Sequence, residues 1–327
     1  MTMPPPPPNH PAGKTMARRR TGDPVHGWLI IDKPKGMTSA KVVAVVRKHL
    51  NAAKAGHGGT LDPGATGILP IALGEATKTV AYAMDGEKKY RFLVRWGEAR
   101  DTDDMDGAIT AESRVRPTRA QILAALPAFT GAIAQVPPDY SAVKVAGKRA
   151  YARARAAETM TIAPRIVHIH AFRLLDTPDP DHAAFEAICG KGTYIRGLAR
   201  DLGTALGTFG CIAELRRLAT GPFTEKQAIS LDCLTSLGHD AAAARHLLPV
   251  EAGLDDIPAM ALTEEQAVRL RHGQSIQMLL REDHRQLRAR AASEEGGAIV
   301  CAMSAGRPVA MARLAKGKLH ALRVLNL

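Results

Sequence analysis

The sequence has few cysteines and few aromatic residues, and the shortage of cysteine narrows the possible kinds of site. The four cysteines are widely spaced and include no C-x-x-C pair: Cys189, Cys211, Cys233 and Cys301. This spacing argues against a structural zinc site and is typical of free core thiols in a reducing cytosol. We therefore expect no metal and a cytoplasmic location.

Long apolar runs are also absent. No stretch approaches the roughly 20 apolar residues that a membrane-spanning helix needs, so we expect no membrane partner. The first residues lack the apolar segment of a secretory signal and contain a proline run followed by Arg18, Arg19 and Arg20. The prolines oppose the amphipathic helix of a transit peptide. We predict that residues 1–25 form a disordered tail that touches RNA backbone loosely.

Positive charge, in contrast, is abundant. Lys and Arg number 44 against 32 Asp and Glu, which gives a net charge of +12 and a pI near 9.8. Because phosphates dominate the affinity of proteins for nucleic acids, this excess favours a nucleic-acid partner. A generally basic proteome would produce the same excess, and net charge does not report on the fold.

The chain of 327 residues is long for one average domain. We predict a main domain over residues 26–254 and a small β-rich domain over residues 255–327. The predicted strands and helices do not alternate strictly, which favours an α+β fold with a mixed sheet and flanking helices. We predict strands over residues 27–32, 89–96, 165–176 and 183–189, and helices over residues 38–51, 76–84, 118–126 and 194–206.

A glycine-rich loop over residues 56–67 carries the most informative carboxylate, Asp62. Its five glycines in twelve residues allow unusual backbone conformations and the close approach of a ligand. Pro63 disfavours the helical conformation for Asp62. A rigidly held carboxylate suits a nucleophile or a base, but an ordinary solvated turn has the same composition. The residues alone leave both interpretations open.

Two nucleotide-cofactor motifs fail in this loop. A P-loop requires a Lys after its last glycine, and neither Gly64 nor Gly67 is followed by one. A dinucleotide fingerprint that starts at Gly56 requires a glycine where Leu61 stands. We therefore expect no cofactor of either kind.

An acidic turn over residues 101–107 could suggest calcium. If Gly107 is the turn glycine of an EF-hand loop, Thr102 stands at the first ligand position and Ser113 at the last, and neither is suitable there. An ordinary acidic turn is the first interpretation, and a site carboxylate is the alternative.

Several other polar residues have both a structural and a functional interpretation. Tyr90 either packs in a core or faces a polar cleft, since its neighbours on the predicted strand are charged. Arg196 stays solvated or holds a carboxylate in a bidentate pair. Arg200 and Asp201 are predicted to be surface charges. The basic stretch around Tyr151 is either a solvated face or a track for RNA backbone.

Together these segments resemble the tRNA pseudouridine synthase B family. The matching stretches follow the family's order: residues 32–39, 56–78, 88–107, 135–155, 192–203 and 213–223. Residues 256–327 resemble, less specifically, the small PUA-like RNA-binding domain of this family. The resemblance implies that residues 26–254 form a pseudouridine synthase domain. Such an enzyme isomerises uridine 55 in the T-loop of tRNA, flips the base out, and needs no cofactor.

The resemblance also implies the roles of three catalytic residues. Asp62 falls on the family's essential aspartate, which attacks the target nucleotide so that the base detaches and rejoins through C5. Tyr90 falls on the tyrosine that stacks on the uracil and removes the C5 proton. Arg196 falls on the arginine that pairs with the catalytic carboxylate.

Four further residues are implied to bind or support the substrate. His57, Tyr194 and Leu215 fall on positions that line the target nucleotide, and His57 is expected to stack where the flipped base leaves a gap. Lys33 matches a supporting lysine near the active site.

Two loop residues depart from the family pattern: Gly58 stands where Thr is usual, and Gly64 where Leu is usual. We expect activity to be retained, with a looser catalytic loop. The alternatives are a non-catalytic tRNA-binding protein or folding chaperone, and a synthase that acts on another RNA. We expect a monomer without an obligate protein partner.

Overall fold

The computed structural model describes residues 22–141, 143–145, 147–156, 158, 160–238, 245–278 and 296–327. Most of the predicted N-terminal tail, residues 1–21, lies outside the described residues. The helices are α1 (Ser39–His49), α2 (Val80–Ala83), α3 (Arg119–Ala125), α4 (Ala150–Arg155), α5 (Ile195–Ala205), α6 (Leu231–Ser236) and α7 (Glu264–Arg271). The strands are β1 (Gly27–Lys33), β2 (Ala55–His57), β3 (Thr66–Leu73), β4 (Lys88–Trp96), β5 (Glu98–Arg100), β6 (Ile109–Glu112), β7 (Gly131–Gln135), β8 (Lys144–Val145), β9 (Lys148–Arg149), β10 (Arg165–Asp179), β11 (His182–Cys189), β12 (Gly210–Thr220), β13 (Phe223–Thr224), β14 (Ile229–Ser230), β15 (Ala259–Ala261), β16 (Ile276–Gln277), β17 (Ala298–Ser304), β18 (Arg307–Ala315) and β19 (Lys318–Val324).

A mixed sheet forms the centre of the main part of the chain. Its strands lie in the order β14-β1-β3-β12-β4-β11-β10-β7, and β2 and β13 pair with β3 and β12. The β1–β14 and β3–β12 contacts are parallel, and the other neighbours are antiparallel. The β3–β12 contact brings two distant segments together, with Arg217 opposite Gly67. The mixed sheet with its flanking helices confirms the predicted α+β class.

Strand β1 is buried on both faces, which explains its apolar run over residues 28–31. Leu29 and Ile31 belong to a core that includes residues of α1 and α6. Trp28 and Ile30 belong to a different core, together with Val250. This double burial fixes β1 in the main sheet, beside β3.

Helices α1 and α5 flank the sheet and support the functional loops. Helix α1 begins where the sequence predicts, because the Thr38 hydroxyl accepts a hydrogen bond from Lys41 N at 3.2 Å. Helix α5 packs Leu198 and Leu202 into a core that contains Trp96. No helix in the described ranges is long and apolar enough to cross a membrane.

A second sheet of five strands, in the order β15-β17-β18-β19-β16, lies within residues 259–324. The residues that follow it return to the main sheet. Leu325 is fully buried in the same core as Trp28, and Asn326 N donates to Glu75 Oε2 at 2.9 Å. The two sheets are therefore joined by apolar packing as well as by a hydrogen bond. The predicted boundary after residue 254 stays a prediction.

Strands β3 and β12 lie in the middle of the main sheet, although the sequence pattern predicts neither. Strand β3 contains Pro70, which lacks an N–H and argues against a central strand. Strand β12 carries charged residues in its middle. The predicted helix over residues 76–84 is also too long, because a 3-10 segment, Gly74–Lys78, precedes the four-residue α2.

Candidate active site

Asp62 lies in the loop between β2 and β3, and buried side chains fix the residues on both sides of it. The Ser39 hydroxyl accepts from Leu61 N at 2.9 Å and donates to Leu61 O at 2.8 Å. Lys33 Nζ donates to Pro63 O at 3.1 Å. The side chain of Asp62 remains 40 % exposed. The loop is therefore an anchored support for an accessible carboxylate, which favours the functional interpretation over a solvated turn.

Arg196 is the second residue of α5 and is 5 % exposed. Its Nε lies 2.9 Å from Asp62 Oδ2 and 3.6 Å from Asp104 Oδ2. Its terminal nitrogens donate to the carbonyls of Thr102 and Tyr140, at 2.7 and 2.9 Å. The ion pair with Asp62 is thus formed through Nε and is not the bidentate pair that the sequence suggested. The two carbonyls fix the plane of the guanidinium.

The acidic turn between β5 and β6 also belongs to the site. Arg200 Nη1 lies 3.0 Å from Asp103 Oδ2. Burial raises the pKa of Asp103 to about 6, although Arg200 and Arg196 act against this increase. Burial also raises the pKa of Asp104. The prediction of surface charges is wrong for Arg200, which is partly buried and pairs with both Asp103 and Asp201.

Tyr90 lies on β4, partly buried between the two cores that cover this part of the sheet. Its charged neighbours Lys89 and Arg91 pair with Glu186, at 3.0 and 3.7 Å. Burial raises the pKa of the Tyr90 phenol, and the positive charge of Arg217 acts against that increase. Of the two interpretations from sequence, the structure supports a tyrosine that faces a cavity.

A cavity of about 440 Å³ brings most of the predicted site residues together. This volume lies in the range of small-molecule binding pockets. The predicted residues that line it are Asp62, Tyr90, Tyr194, Arg196 and Leu215. The arrangement offers a carboxylate, phenol groups and apolar surface to one ligand.

His57 and Lys33 do not line this cavity, although the resemblance places them at the site. His57 lies on β2, and its buried Nδ1 has no hydrogen-bond partner among the described residues. Burial and the charge of Arg217 lower the pKa of His57. Lys33 is fully buried, and burial lowers its pKa to about 8, although the nearby Asp62 acts against this decrease. Lys33 acts on the loop, through the carbonyl of Pro63.

Two buried cations on the cavity wall were missed by the sequence analysis. Arg217 is 2 % exposed and Lys88 is 8 % exposed. Lys88 Nζ donates to Gly86 O at 2.5 Å and to Met84 O, and burial lowers its pKa. A sequence pattern could not find either residue, because a charged residue within a strand is ordinarily assigned to the solvent-facing side.

The two loop glycines that depart from the family pattern differ in their surroundings. A Cβ at Gly58 would lie 3.3 Å from the Trp28 ring, and a Cβ at Gly64 would lie 3.4 Å from Asp106 Oδ2. Neither glycine has a left-handed φ. Their backbone conformations are therefore open to other residues, and only the neighbouring atoms limit the side chain.

Two solved structures share this fold. One is the structure of an H/ACA RNP bound to a substrate RNA containing 2′-deoxyuridine, with a TM-score of 0.68 and 22 % identity, covering 95 % of this chain and 92 % of that one. The other is the crystal structure of a Cbf5–Nop10–Gar1 complex, with a TM-score of 0.68 and 25 % identity, covering 92 % of this chain and 84 % of that one. The architecture is that of a pseudouridine synthase.

Sequence comparison defines the family. Residues 47–195 match the model of the TruB family pseudouridylate synthase (N terminal domain), and residues 196–255 match the tRNA pseudouridylate synthase B C-terminal domain. Relatives named tRNA pseudouridine synthase B include proteins of Bradyrhizobium diazoefficiens (53 % identity, 94 % of this chain and 88 % of the relative) and Rhodospirillum rubrum (52 %, 95 % and 100 %). The chain therefore belongs to the TruB family of pseudouridylate synthases, which are isomerases.

Proposed function

We propose that this enzyme converts uridine 55 in the T-loop of tRNA into pseudouridine and uses Asp62 as its nucleophile. The name of its relatives, tRNA pseudouridine synthase B, supports the substrate class, and the net charge of +12 suits a polyanion. In the reaction the bond between C1′ and N1 breaks and a bond between C1′ and C5 forms. C5 loses a proton and N1 gains one, so all atoms are conserved.

The observation that carries this proposal is the ion pair of Asp62 and Arg196 on the wall of the cavity that Tyr90 also lines. The guanidinium, 2.9 Å away, orients the carboxylate, while the anchored residues on both sides hold the loop. Such positioning lowers the barrier because the attacking atom is held near its target. Asp62 attacks either C1′ of the ribose or C6 of the uracil.

Tyr90, Tyr194 and Leu215 are proposed to enclose the flipped base. Extrusion of a base costs a few kcal/mol, and less when the base already lies in a loop. Stacking on an aromatic side chain returns roughly 1–3 kcal/mol. Tyr90 is proposed both to stack on the uracil and to remove the C5 proton.

The two predicted residues outside the cavity are given different roles. His57 is proposed to stack in the gap that the flipped base leaves in the RNA. Lys33 is proposed to hold the catalytic loop, because its ammonium donates to the carbonyls of Pro34, Met37 and Pro63, at 2.9, 2.7 and 3.1 Å.

Tritium release tests the proposal directly. An unmodified tRNA transcript with tritium at C5 of every uridine is incubated with the wild type or with Asp62→Asn. We expect release of about one equivalent per tRNA from the wild type, and a rate at least about 1,000-fold lower for the variant, as for loss of a covalent catalyst. A transcript that lacks uridine 55 should release none. Equal release from that transcript would contradict the assigned position.

Two alternative functions are separated by the same assay. A non-catalytic tRNA-binding protein or chaperone would bind the transcript and release no tritium. A synthase for another RNA would release tritium from structured RNA other than tRNA. Independent action as a monomer is part of the proposal, and light scattering of the free enzyme and of its tRNA complex would test it.

A further inference from the structure

Arg217 occupies an unusual position for a charged residue. It lies on the central strand β12, where it pairs with Gly67 of β3 on one side and with Tyr90 of β4 on the other. Its side chain is almost fully buried. Nε donates to Ile68 O at 2.8 Å, and Nη2 donates to Gly59 O at 3.0 Å. One guanidinium therefore bridges the catalytic loop and the strand that follows it.

The glycines of the loop accommodate this arginine. Of the five glycines in residues 56–67, only Gly59 and Gly67 have a left-handed φ, at +105° and +100°. A Cβ at Gly59 would lie 3.3 Å from Arg217 Nη1, and a Cβ at Gly67 would clash with the Arg217 carbonyl. Nη1 also donates to Thr60 O at 3.4 Å. The two positions that require glycine are thus the two that contact Arg217.

The charge of Arg217 has no carboxylate within ion-pair distance in the described part of the chain. Burying an uncompensated charge is costly, and hydrogen bonds to carbonyls alone do not require a cation. The charge lines the cavity beside Tyr90 and opposes the effect of burial on the phenol. This cost suggests a role in the chemistry of the cavity beyond holding the loop.

We propose that Arg217 is a positioning residue that holds the Gly59–Thr60 segment ahead of Asp62 and stabilises the deprotonated form of the Tyr90 phenol. This inference rests on the roles proposed above for Asp62 and Tyr90. In this proposal Arg217 couples the two catalytic groups, because the same side chain positions the loop that carries Asp62 and places a positive charge near Tyr90.

The test measures Tyr90 in the protein without RNA. Fluorinated tyrosine, which has a lower intrinsic pKa, is incorporated, and the Tyr90 ¹⁹F resonance is assigned with Tyr90→Phe and titrated. We expect Arg217→Met to raise the Tyr90 pKa by about one unit or more, because a nearby cation favours the phenolate. Arg217→Lys, which keeps a charge, should raise it less.

Arg216→Met is the matched control. Arg216 is the neighbouring residue on β12, but it pairs with Asp32 and Glu225, at 2.8 and 2.6 Å, and does not line the cavity. We expect this variant to leave the Tyr90 titration unchanged. An equal shift in both arginine variants would overturn the proposal, as would an unchanged Tyr90 pKa in folded Arg217→Met.

Kinetics provide the second readout. We expect Arg217→Met to lower kcat for tritium release about tenfold or more, with little change in KM. Because the proposed base must be deprotonated, the ascending limb of the pH–rate profile should move to higher pH together with the Tyr90 pKa. An unchanged kcat overturns the proposal.

Arg217→Lys carries the test if Arg217→Met does not fold. In that case, a Tyr90 pKa equal to that of the wild type together with an unchanged kcat overturns the proposal. Inactivity of the wild type would reject the proposed function, whereas the NMR result does not depend on activity.

Discussion

The site has two sides that hold their buried arginines in different ways. On the acidic-turn side (residues 101–107), Arg196 lies near two carboxylates, Asp62 and Asp104, and its charge is compensated. On the glycine-loop side (residues 56–67), Arg217 donates to backbone carbonyls and keeps its charge uncompensated among the described residues. Burial of a cation alone therefore does not define its role: we propose that Arg196 orients an anion and that Arg217 holds the loop and acts on Tyr90.

Of the two buried arginines, Arg196 should cause the larger loss of activity when it is replaced. We expect Arg196→Met to lower the rate of tritium release by about 100- to 1,000-fold, as for loss of a preorganised group in an active site. The free energy of unfolding should fall by about 1–3 kcal/mol, because the carbonyls of Thr102 and Tyr140 lose their hydrogen-bond donor. Stopped assays and urea unfolding measure the two effects. Arg196→Lys should recover little, since an ammonium cannot reproduce the planar set of contacts. A wild-type rate for Arg196→Met would contradict the proposal that this arginine orients the carboxylate of Asp62.

The pH dependence of stability tests the raised pKa of Asp103, on the acidic-turn side. The pKa of Asp103 is raised to about 6 in the fold from a usual 3.8. The folded state therefore retains this proton between these values, so the stability that Asp103 contributes is present at low pH and is lost as the pH rises through about 6. We expect the stability of the wild type relative to Asp103→Asn to decrease by about 1–2 kcal/mol between pH 4 and pH 7. Urea unfolding at both pH values measures this. The exposed Asp101→Asn is the control, and the opposite sign would contradict the prediction.

The smallest effect is expected on the glycine-loop side, at Gly58. We expect Gly58→Thr to leave turnover equal to or slightly above that of the wild type, because this glycine has no left-handed φ. Its Cβ would lie 3.3 Å from the buried Trp28 ring, which is a tight contact, so stability should fall by about 1 kcal/mol. Thermal unfolding and tritium release test both statements. Gly59→Ala should be clearly worse, since its φ is left-handed and its Cβ faces Arg217. A large loss of turnover in Gly58→Thr would show that the loop tolerates no side chain there.

Sequence patterns predicted the elements that have a clear apolar pattern or a clear N-cap. Strand β1 and helix α1 were predicted because one is apolar on both faces and the other has a Thr38 cap. Strands β3 and β12 were missed because Pro70 and a run of charged residues interrupt them. The interruption of β12 lies at the site, since Leu215 and Arg217 line the cavity, whereas Pro70 lies beside Gly58.

The sequence predicted some residues of the candidate site and missed others. The resemblance identified Asp62, Tyr90 and Arg196, and the structure brings them to one cavity. It did not indicate Arg217, because nothing local distinguishes a buried arginine from an exposed one. The partners of Arg200 were also missed, since the ion pair joins residues that are nearly one hundred positions apart.

The burial of Leu325 in the same core as Trp28 has a consequence for the way the chain folds and unfolds. These residues are separated by almost the whole described sequence, so the formation of this core closes a very long loop. The core around β1 is complete only when the second sheet has docked. Melting of the small sheet should therefore expose part of the larger core, and the two should lose their structure cooperatively, as one thermal transition.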